Sequence, residues 1–322
     1  MPTITTNIDL VLEHLKQGEV VAIPTETVYG LAADATNETA IKKIFSIKKR
    51  PLNHPLIMHV CHDWDLSQWV NNVPVYAQHM ILAFWPGPLT LVFNSKKGAV
   101  HSLVNGGQNS IAIRAPSHPL TGQLLRRLNR PIVAPSANPF GQISPTTALH
   151  VAQSFPDEHF LILDGGRCEI GIESSIIQAT HDDRYTLLRP GMIDLKAMNG
   201  PLSKESPLNA SPPRVSGQLD SHYQPKKRLY YIDDWQQFEN YSHALIGKVY
   251  TMSMSEYTPQ DQKLHHQFPN DEQTVAFQLY HELRRADQSQ ADIIVIELPV
   301  NQIKWGAIRE KIIKAGQAVH SL

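Results

Sequence analysis

Cations stand just beyond two apolar runs of this sequence, where they could bind anions. "SIKKRP" (46–51) places Lys48 and Arg50 before a proline, and a guanidinium fork beside an ammonium group can hold a polyphosphate. "SIAIRAP" (110–116) places Arg114 just after an apolar run, where it needs a carboxylate or phosphate partner if it is buried. For the first pair an alternative stays open, because cations at a helix C-terminus also complement the helix dipole.

Polar side chains, most of them hydroxyls or amides, occupy further segments that follow apolar runs. "PTETVYGL" contributes Thr25, Glu26 and Thr27, and "APSANPFGQISP", "GIESS" and "LLRPG" follow later in the chain. Short hydroxyls and amides on a loop stiffened by proline can donate hydrogen bonds to phosphate oxygens. The same residues form ordinary Asx and Ser turns, so no single segment identifies a ligand.

Alternating helix and strand signals predict an α/β domain that places these segments at strand ends. Apolar residues at helical spacing between Ile8 and Leu15 precede the strand "VVAIP", and Thr36 or Asn37 caps a second helix that stops before Pro51. A mixed sheet of at least six strands is predicted from the runs "LTLVFN", "SIAIRAP", "PIVAP", "FLILDGG", "SSIIQAT" and "YTLLRPG". In such folds, ligands bind beyond the strand ends.

The pattern restarts after a segment rich in Pro, Ser, Asn and Gly, which is too long for an ordinary loop. Strands "LYYI", "KVYTM" and "DIIVIEL", together with a helix capped at Asn270, predict a small parallel-sheet, Rossmann-like domain. The predicted organisation is a first domain over 1–197, a linker or lid over 198–227, and a second domain over 228–322.

Composition limits the function classes. The 322 residues carry a net charge of -1, so no global field attracts nucleic acid or an anionic membrane. No apolar run approaches the roughly 20 residues of a spanning helix, and no signal core follows the N-terminus, so we expect a cytoplasmic protein.

Cys61 and Cys168 form no CxxC pair and are expected to be buried thiols. P-loop, dinucleotide, zinc-protease and serine-hydrolase motifs are absent.

Taken together, the polar segments resemble the family of YrdC-like threonylcarbamoyl-AMP synthases. The resemblance runs from about Ile4 to Ile193 in family order, through "IPTETVYGLAADA", "IKKRPLNHPLIMHV", "WPGPLTLVF", "SIAIRAPSHP", "PIVAPSANPFGQISPT", "DGG", "GIESSII" and "LLRPG". The linker "PPRVSGQLDSHYQPK" and the C-terminal part resemble the long form of the family. The implied fold is a YrdC-like mixed, twisted sheet with helices, followed by the small Rossmann-like domain.

The resemblance implies a nucleotidyltransferase that makes threonylcarbamoyl-AMP and pyrophosphate from L-threonine, bicarbonate and ATP. The product would pass to a transferase complex that modifies tRNA, and a weak contact with tRNA itself stays open. Mg²⁺ is expected with ATP, held on the phosphates rather than by metal ligands of the protein.

The resemblance also implies roles for individual residues. The Lys-x-Arg and Ser-x-Asn motifs are Lys48, Arg50, Ser136 and Asn138, which would be catalytic. The ATP side would add His54, Ser110, Ser144 and Arg189; the threonine pocket would comprise Thr27, His59, Arg114, Ser136 and Ser175; the lid would contain Arg214, His222 and Tyr223. Lys49 stands where the family often has glycine, and "ESS" stands where "EST" is usual.

Three alternatives remain open. An RNA-binding module would use a local patch made of Lys42, Lys43, Lys48 and Lys49, and its RNA binding would be sensitive to salt. A hydrogenase-maturation carbamoyltransferase would add CxxC pairs, which this chain lacks. An inactive paralogue would depart from Lys-x-Arg or Ser-x-Asn, and both motifs are intact here.

Overall fold

The computed structural model describes residues 1–194, 212–217, 222–259 and 261–321. The chain divides into two compact units. The first unit comprises Met1–Phe140, Pro145–Glu169 and Glu173–Gln218, and the second comprises Gly141–Ser144, Ile170–Ile172 and Leu219–Leu322. Much of the predicted linker over 198–227 lies outside the described residues, so the predicted domain boundaries stay predictions.

The first unit is built on a ten-stranded mixed sheet with strand order β1-β8-β2-β3-β7-β4-β6-β5-β9-β10. The strands are β1 Thr3–Thr5, β2 Val21–Ile23, β3 Gly30–Asp34, β4 Ile57–His59, β5 Leu89–Asn94, β6 Ser110–Arg114, β7 Ile132–Val133, β8 Leu161–Leu163, β9 Ser175–Gln178 and β10 Thr186–Arg189. The six runs that predicted strands are β5 to β10. The predicted mixed α/β sheet is therefore confirmed.

Six helices accompany this sheet in the described residues: α1 Ile8–Lys16, α2 Glu38–Lys48, α3 Val75–Phe84, α4 Ser102–Asn105, α5 Pro119–Leu128 and α6 Ala148–Ser154. In α1 the apolar face buries Val11, Leu12 and Leu15, and the Asn7 side chain caps the first turn. Asn37 caps α2 by accepting a hydrogen bond from the Ala40 backbone N–H. Both helices therefore begin where the sequence predicts.

The register of the central strands determines which side chains share a face of the sheet. His59 in β4 pairs with Arg114 in β6, which pairs in turn with Thr90 in β5. Directly paired residues point to the same face, so these three side chains form one row. Their neighbours Met58 and Ile113 point the other way, into the main hydrophobic core. One face of these central strands therefore packs in the main core, and the opposite face carries the row of His59, Arg114 and Thr90.

The second unit contains a five-stranded sheet, and all its strand pairs are parallel. Its strands are β11 Arg228–Ile232, β12 Val249–Ser253, β13 His265–Gln267, β14 Ile293–Glu297 and β15 Gln317–Ala318, and its helices are α7 Trp235–Tyr241, α8 Glu272–Gln288 and α9 Gly306–Ala315. The predicted Rossmann-like pattern is confirmed. The predicted cap Asn270 is wrong by one residue, because the Asp271 carboxylate accepts the Thr274 backbone N–H at 2.8 Å.

Among the described residues, no helix combines the length and the apolar character needed to cross a membrane. Cys61 and Cys168 are buried free thiols, as predicted.

Candidate active site

The Lys-x-Arg motif lies at the C-terminus of α2. Lys49 caps the helix in the left-handed conformation (φ 52°), so the chain turns sharply between Lys48 and Arg50. Cations that only complement a helix dipole are typically exposed, and these two are not. Lys48 is 1% exposed and Arg50 is 7% exposed. The helix dipole alone therefore does not account for them, because that interaction needs no burial.

The Lys48 ammonium group bridges the loop that carries the Ser-x-Asn motif. Its Nζ donates to the backbone oxygens of Ser136 and Asn138, both at 2.5 Å. In return, the Phe140 backbone N–H donates to the Lys48 carbonyl at 2.8 Å. Burial lowers the pKa of Lys48 well below its usual value, and the nearby charge of Arg50 lowers it further. The described contacts use two of the three N–H donors of an ammonium group.

Arg50 extends the same cluster with neutral partners. Its Nη2 donates to the Pro55 carbonyl at 2.8 Å and to the Ser216 Oγ at 3.2 Å. Burial lowers the pKa of Arg50 to about 10, so it stays charged at neutral pH. His54 packs edge-on against Phe140, and desolvation together with the charges of Arg50 and Arg214 lowers its pKa.

Arg189, the last residue of β10, contacts Ser216 as Arg50 does. Its Nη1 donates to the Ser216 carbonyl at 3.0 Å, and its Nε donates to the Ser174 carbonyl at 3.0 Å. Its Nη2 donates to the Ser174 Oγ at 3.1 Å, and that hydroxyl lies 2.8 Å from the Thr90 Oγ1. Ser216 therefore contacts two buried guanidinium groups.

In the part of the chain that the structure describes, no carboxylate lies within ion-pair distance of Lys48, Arg50 or Arg189. Carbonyl and hydroxyl oxygens partner all three. Because neutral oxygens do not cancel a full charge, the site keeps a positive potential around these three cations.

Arg114, the middle residue of the row and the last residue of β6, has a carboxylate partner. Its Nη2 is 2.7 Å from the Glu26 Oε1, and both side chains are almost fully buried. The sequence indicated that Arg114 needs an anionic partner, but nothing in it identified Glu26 as that partner, since 88 positions separate the two residues. Glu26 is a residue that the predicted site did not include.

His59 beside Arg114 is a neutral imidazole. Its pKa falls to about 3, first because it is buried and second because the positive charge of Arg114 is close. Its Nδ1 lies 3.2 Å from the Ile57 carbonyl, and in the neutral tautomer that donates this hydrogen bond the Nε2 is an acceptor.

Thr27 and Ser175, two hydroxyl residues of the predicted threonine pocket, have defined contacts. The Thr27 Oγ1 is 2.9 Å from the Thr25 Oγ1. Ser175 begins β9, and its backbone N–H donates to the Pro88 carbonyl at 3.0 Å. Both are buried, and Gly191 passes so close to Ser175 that any Cβ at that position would lie 2.4 Å from the Ser175 nitrogen.

The two ends of the site lie along β4 and β6. Ser110 starts β6 and Arg114 ends it, on the same face, so the ends are about 13 Å apart at 3.3 Å per residue. Pro55, whose carbonyl binds Arg50, precedes Ile57 by two residues, and Ile57 pairs with Ala112. Arg50 therefore binds near the Ser110 end.

A segment of the described chain, residues 212–217, covers the middle of this face. Val215 packs against Ile57, Val92, Ala112 and Ile176. Arg214 is tied down beside it, because its Nη2 donates to the Gly106 carbonyl at 2.9 Å and its backbone N–H donates to the Gln108 Oε1 at 2.7 Å.

Three predicted site residues fall in the second unit. Ser144 is fully buried, the His222 backbone N–H donates to the Lys314 carbonyl, and Tyr223 stacks on Tyr280 with a positive φ of 65°. Their assignment to the site stays a prediction.

Comparison with known proteins identifies relatives for both units. A family model named Sua5_yciO_yrdC, described as "Telomere recombination", matches residues 13–191. A second model, described as "Threonylcarbamoyl-AMP synthase, C-terminal domain", matches residues 186–316.

Individual relatives carry the same name as the second family model. A threonylcarbamoyl-AMP synthase of Bacillus subtilis is 36% identical over 88% of this chain and 85% of its own length. One from Pyrococcus abyssi is 43% identical over 56% of this chain and 53% of its own length. The crystal structure of P. abyssi Sua5 complexed with L-threonine superposes with a TM-score of 0.84 at 30% identity, covering 98% of this chain and 97% of that one.

Proposed function

Because the chain belongs to the Sua5_yciO_yrdC family, we infer that it is a nucleotidyltransferase that makes threonylcarbamoyl-AMP and pyrophosphate from L-threonine, bicarbonate and ATP. Among the site's features, the observation that carries this inference is the cluster of three buried cations with only neutral partners, Lys48, Arg50 and Arg189. Burying such charges is costly, and an anionic substrate that completes their coordination gives a reason to keep them.

We call the part of the site around Lys48, Arg50 and Arg189 the phosphate end, and it would bind ATP. The remaining N–H donor of Lys48 and the guanidinium forks of Arg50 and Arg189 suit phosphate oxygens, and they would neutralise the pyrophosphate as it leaves. Ser136 and Asn138 would contribute hydroxyl and amide donors, and Ser110, His54 and Ser144 would complete the ATP side.

The amino-acid end would bind L-threonine. Arg114 suits the α-carboxylate, because a guanidinium group can form two parallel hydrogen bonds to it. The acceptor Nε2 of neutral His59 suits a donor of the substrate, such as its hydroxyl or amine. Thr27 and Ser175 supply further hydroxyls in the same buried environment.

The chemistry needs no protein nucleophile. The threonine amine forms a C–N bond to carbon dioxide derived from bicarbonate, and with the loss of one amine proton it becomes a carbamate. One carbamate oxygen then attacks the α-phosphorus, and the bond from that phosphorus to the pyrophosphate oxygen breaks. The protein would accelerate these steps by holding both substrates in line along the face of β4 and β6 and by stabilising the charge on the leaving group.

Mg²⁺ would arrive with ATP and supply further neutralisation of the phosphates. The residues of the phosphate end are cations and neutral donors, which contact phosphate rather than metal, so the phosphates and water would hold the ion. Among the described residues there is no group of three or more His, Cys, Asp or Glu side chains that could hold a metal. We assign the ion no protein ligand.

The remaining roles concern the cover of the site and the product. We propose that Arg214, His222 and Tyr223 act as a lid that excludes water from the reaction. The product would pass, in the cytoplasm, to a tRNA threonylcarbamoyl transferase complex, with at most a weak contact to tRNA by the enzyme itself.

Pyrophosphate release from ATP tests the proposal. Release should require both L-threonine and bicarbonate, and Arg50→Ala should reduce it at least about 100-fold, as expected when a donor to developing charge is lost. Lys42→Ala is the matched control, since Lys42 is an exposed cation of the same helix that pairs with Glu38, and it should leave the rate unchanged. Salt-sensitive RNA binding without threonine-dependent release would support the RNA-binding alternative instead.

A further inference from the structure

Glu26 is a buried carboxylate with two defined contacts. One oxygen lies 2.7 Å from the Arg114 Nη2, and the other accepts the Ser117 backbone N–H at 3.1 Å. Glu26 is 3% exposed. Since both oxygens are engaged and the side chain is enclosed, the position of the carboxylate is well determined.

The loop that carries Glu26 is itself held in place. The Thr25 Oγ1 accepts the backbone N–H groups of Thr27 and Val28, both at 3.2 Å. The Thr121 hydroxyl donates to the Pro24 carbonyl at 2.5 Å and ties the loop to α5. A carboxylate on such a loop can fix the orientation of a partner, because the loop does not shift to follow that partner.

The contacts of Arg114 engage only part of its guanidinium group. Nη2 donates to Glu26, and Nε lies 3.4 Å from the Gly87 carbonyl. A guanidinium group has five N–H donors, so these contacts leave both N–H groups of Nη1 and the second one of Nη2 for a ligand. Together these donors can receive a carboxylate.

We propose that Glu26 is the positioning residue for Arg114. It holds the guanidinium group so that the remaining donors face the α-carboxylate of L-threonine. This inference rests on the proposed function. Glu26 also cancels the charge of Arg114, so the protein groups at this position are neutral as a pair and suit an amino acid zwitterion better than a second phosphate group.

Glu26→Gln tests the proposal, because the amide keeps the size of the side chain and removes its charge. The dissociation constant for L-threonine, measured by calorimetry on the full chain, should rise about tenfold or more, since a charge-assisted bidentate contact depends on orientation. KM for ATP should change less than about twofold. Binding of L-threoninol, which lacks the carboxylate, should not change, and a merely structural role would not produce this difference.

The control is Asp34→Asn. Asp34 is also a buried carboxylate of the first unit paired with an arginine, Arg130 at 2.5 Å, and the predicted site does not include it. It should lower stability without changing the affinity for L-threonine. If Glu26→Gln does not fold, Glu26→Asp takes its place, because it keeps the charge but draws it back by one methylene group.

The outcomes separate the two proposals. If the unmodified protein does not bind L-threonine, the proposed function fails. If it binds L-threonine and the Glu26 variants bind it equally well, the positioning role is overturned. If the variants lose affinity for L-threonine, L-threoninol and ATP alike, Glu26 only supports the fold, and the positioning role is again overturned. Selective loss of L-threonine affinity supports it.

Discussion

The two ends of the site solve the problem of burying a cation in different ways. At the phosphate end, Lys48 and Arg50 donate to carbonyl and hydroxyl oxygens, and in the described residues they have no carboxylate partner. At the amino-acid end, Arg114 pairs with Glu26. The first arrangement keeps net positive charge, and the second arrangement is neutral.

This difference matches the charges of the two proposed substrates. A triphosphate carries several negative charges, and uncompensated cations in a region of low dielectric attract it strongly. L-threonine is a zwitterion with no net charge, and it needs orientation more than it needs charge. We therefore infer that the partners of each cation, and not the cations alone, determine which substrate binds at each end.

The largest expected effect is a loss of stability that differs between substitutions at the two ends. Arg114→Gln leaves Glu26 buried without a counter-charge and should cost about 3–5 kcal/mol of unfolding free energy. Arg50→Gln leaves only neutral acceptors and should cost about 1–3 kcal/mol. Urea-induced unfolding of the two variants measures the difference.

A double variant with Glu26→Gln and Arg114→Gln gives the control for that prediction. It should recover much of the loss, since it removes both charges. Equal costs for Arg50→Gln and Arg114→Gln would contradict the proposed distinction between the ends.

The next largest effect is a loss of pyrophosphate release without a matching loss of L-threonine affinity. Lys48→Met keeps the apolar stem but removes the ammonium group, so pyrophosphate release should fall about 10²–10³-fold. Calorimetric binding of L-threonine should stay within about threefold, because Ser136, bound through its backbone carbonyl, is the one residue of the predicted threonine pocket that Lys48 is seen to contact in the described structure. A loss of threonine affinity as large as the loss of rate would show that the ends are not independent.

The fold was largely predictable, because continuous apolar runs such as "LTLVFN" and "SIAIRAP" are typical of buried strands. The cap of α8 was misplaced by one residue because Asn and Asp are both good caps. The burial of Lys48 could not be predicted, since the carbonyls that make it tolerable belong to Ser136 and Asn138, about 90 positions away.

The site was predictable to a different extent at each end. Arg114 at the end of an apolar strand indicated a need for a partner, but only the folded structure, in which the loop after β2 reaches Arg114, shows which carboxylate is in reach. The contacts of Arg50 and Arg189 with Ser216 likewise depend on a chain segment that the sequence pattern could not place.

The third prediction concerns His59 and acid stability. Its pKa is about 3 in the folded state, against about 6.5 when unfolded, so below pH 6.5 only the unfolded state takes up the proton. Stability should therefore fall as pH decreases from about 6.5 toward 3, by up to about 1.4 kcal/mol per pH unit from this group.

His59→Gln tests this expectation, because glutamine does not titrate. Urea-induced unfolding at pH 7.5 and pH 5.5 should show a smaller loss for the variant than for the unmodified protein, by about 1 kcal/mol. The same acid sensitivity in both proteins would mean that His59 is not buried as a neutral group.

The smallest effect concerns Lys49, which lies between the two cations of the phosphate end but is exposed. Its φ of 52° falls in the left-handed region, where a side chain costs about 1 kcal/mol and glycine costs little. Lys49→Gly should therefore stabilise the first unit by about 0.5–1 kcal/mol in urea-induced unfolding and leave pyrophosphate release within about twofold. Lys42→Gly, in the interior of α2, is the matched control and should destabilise by about 1 kcal/mol. If Lys49→Gly instead reduced the rate as Lys48→Met does, the charge at the phosphate end would not reside in the two buried side chains alone.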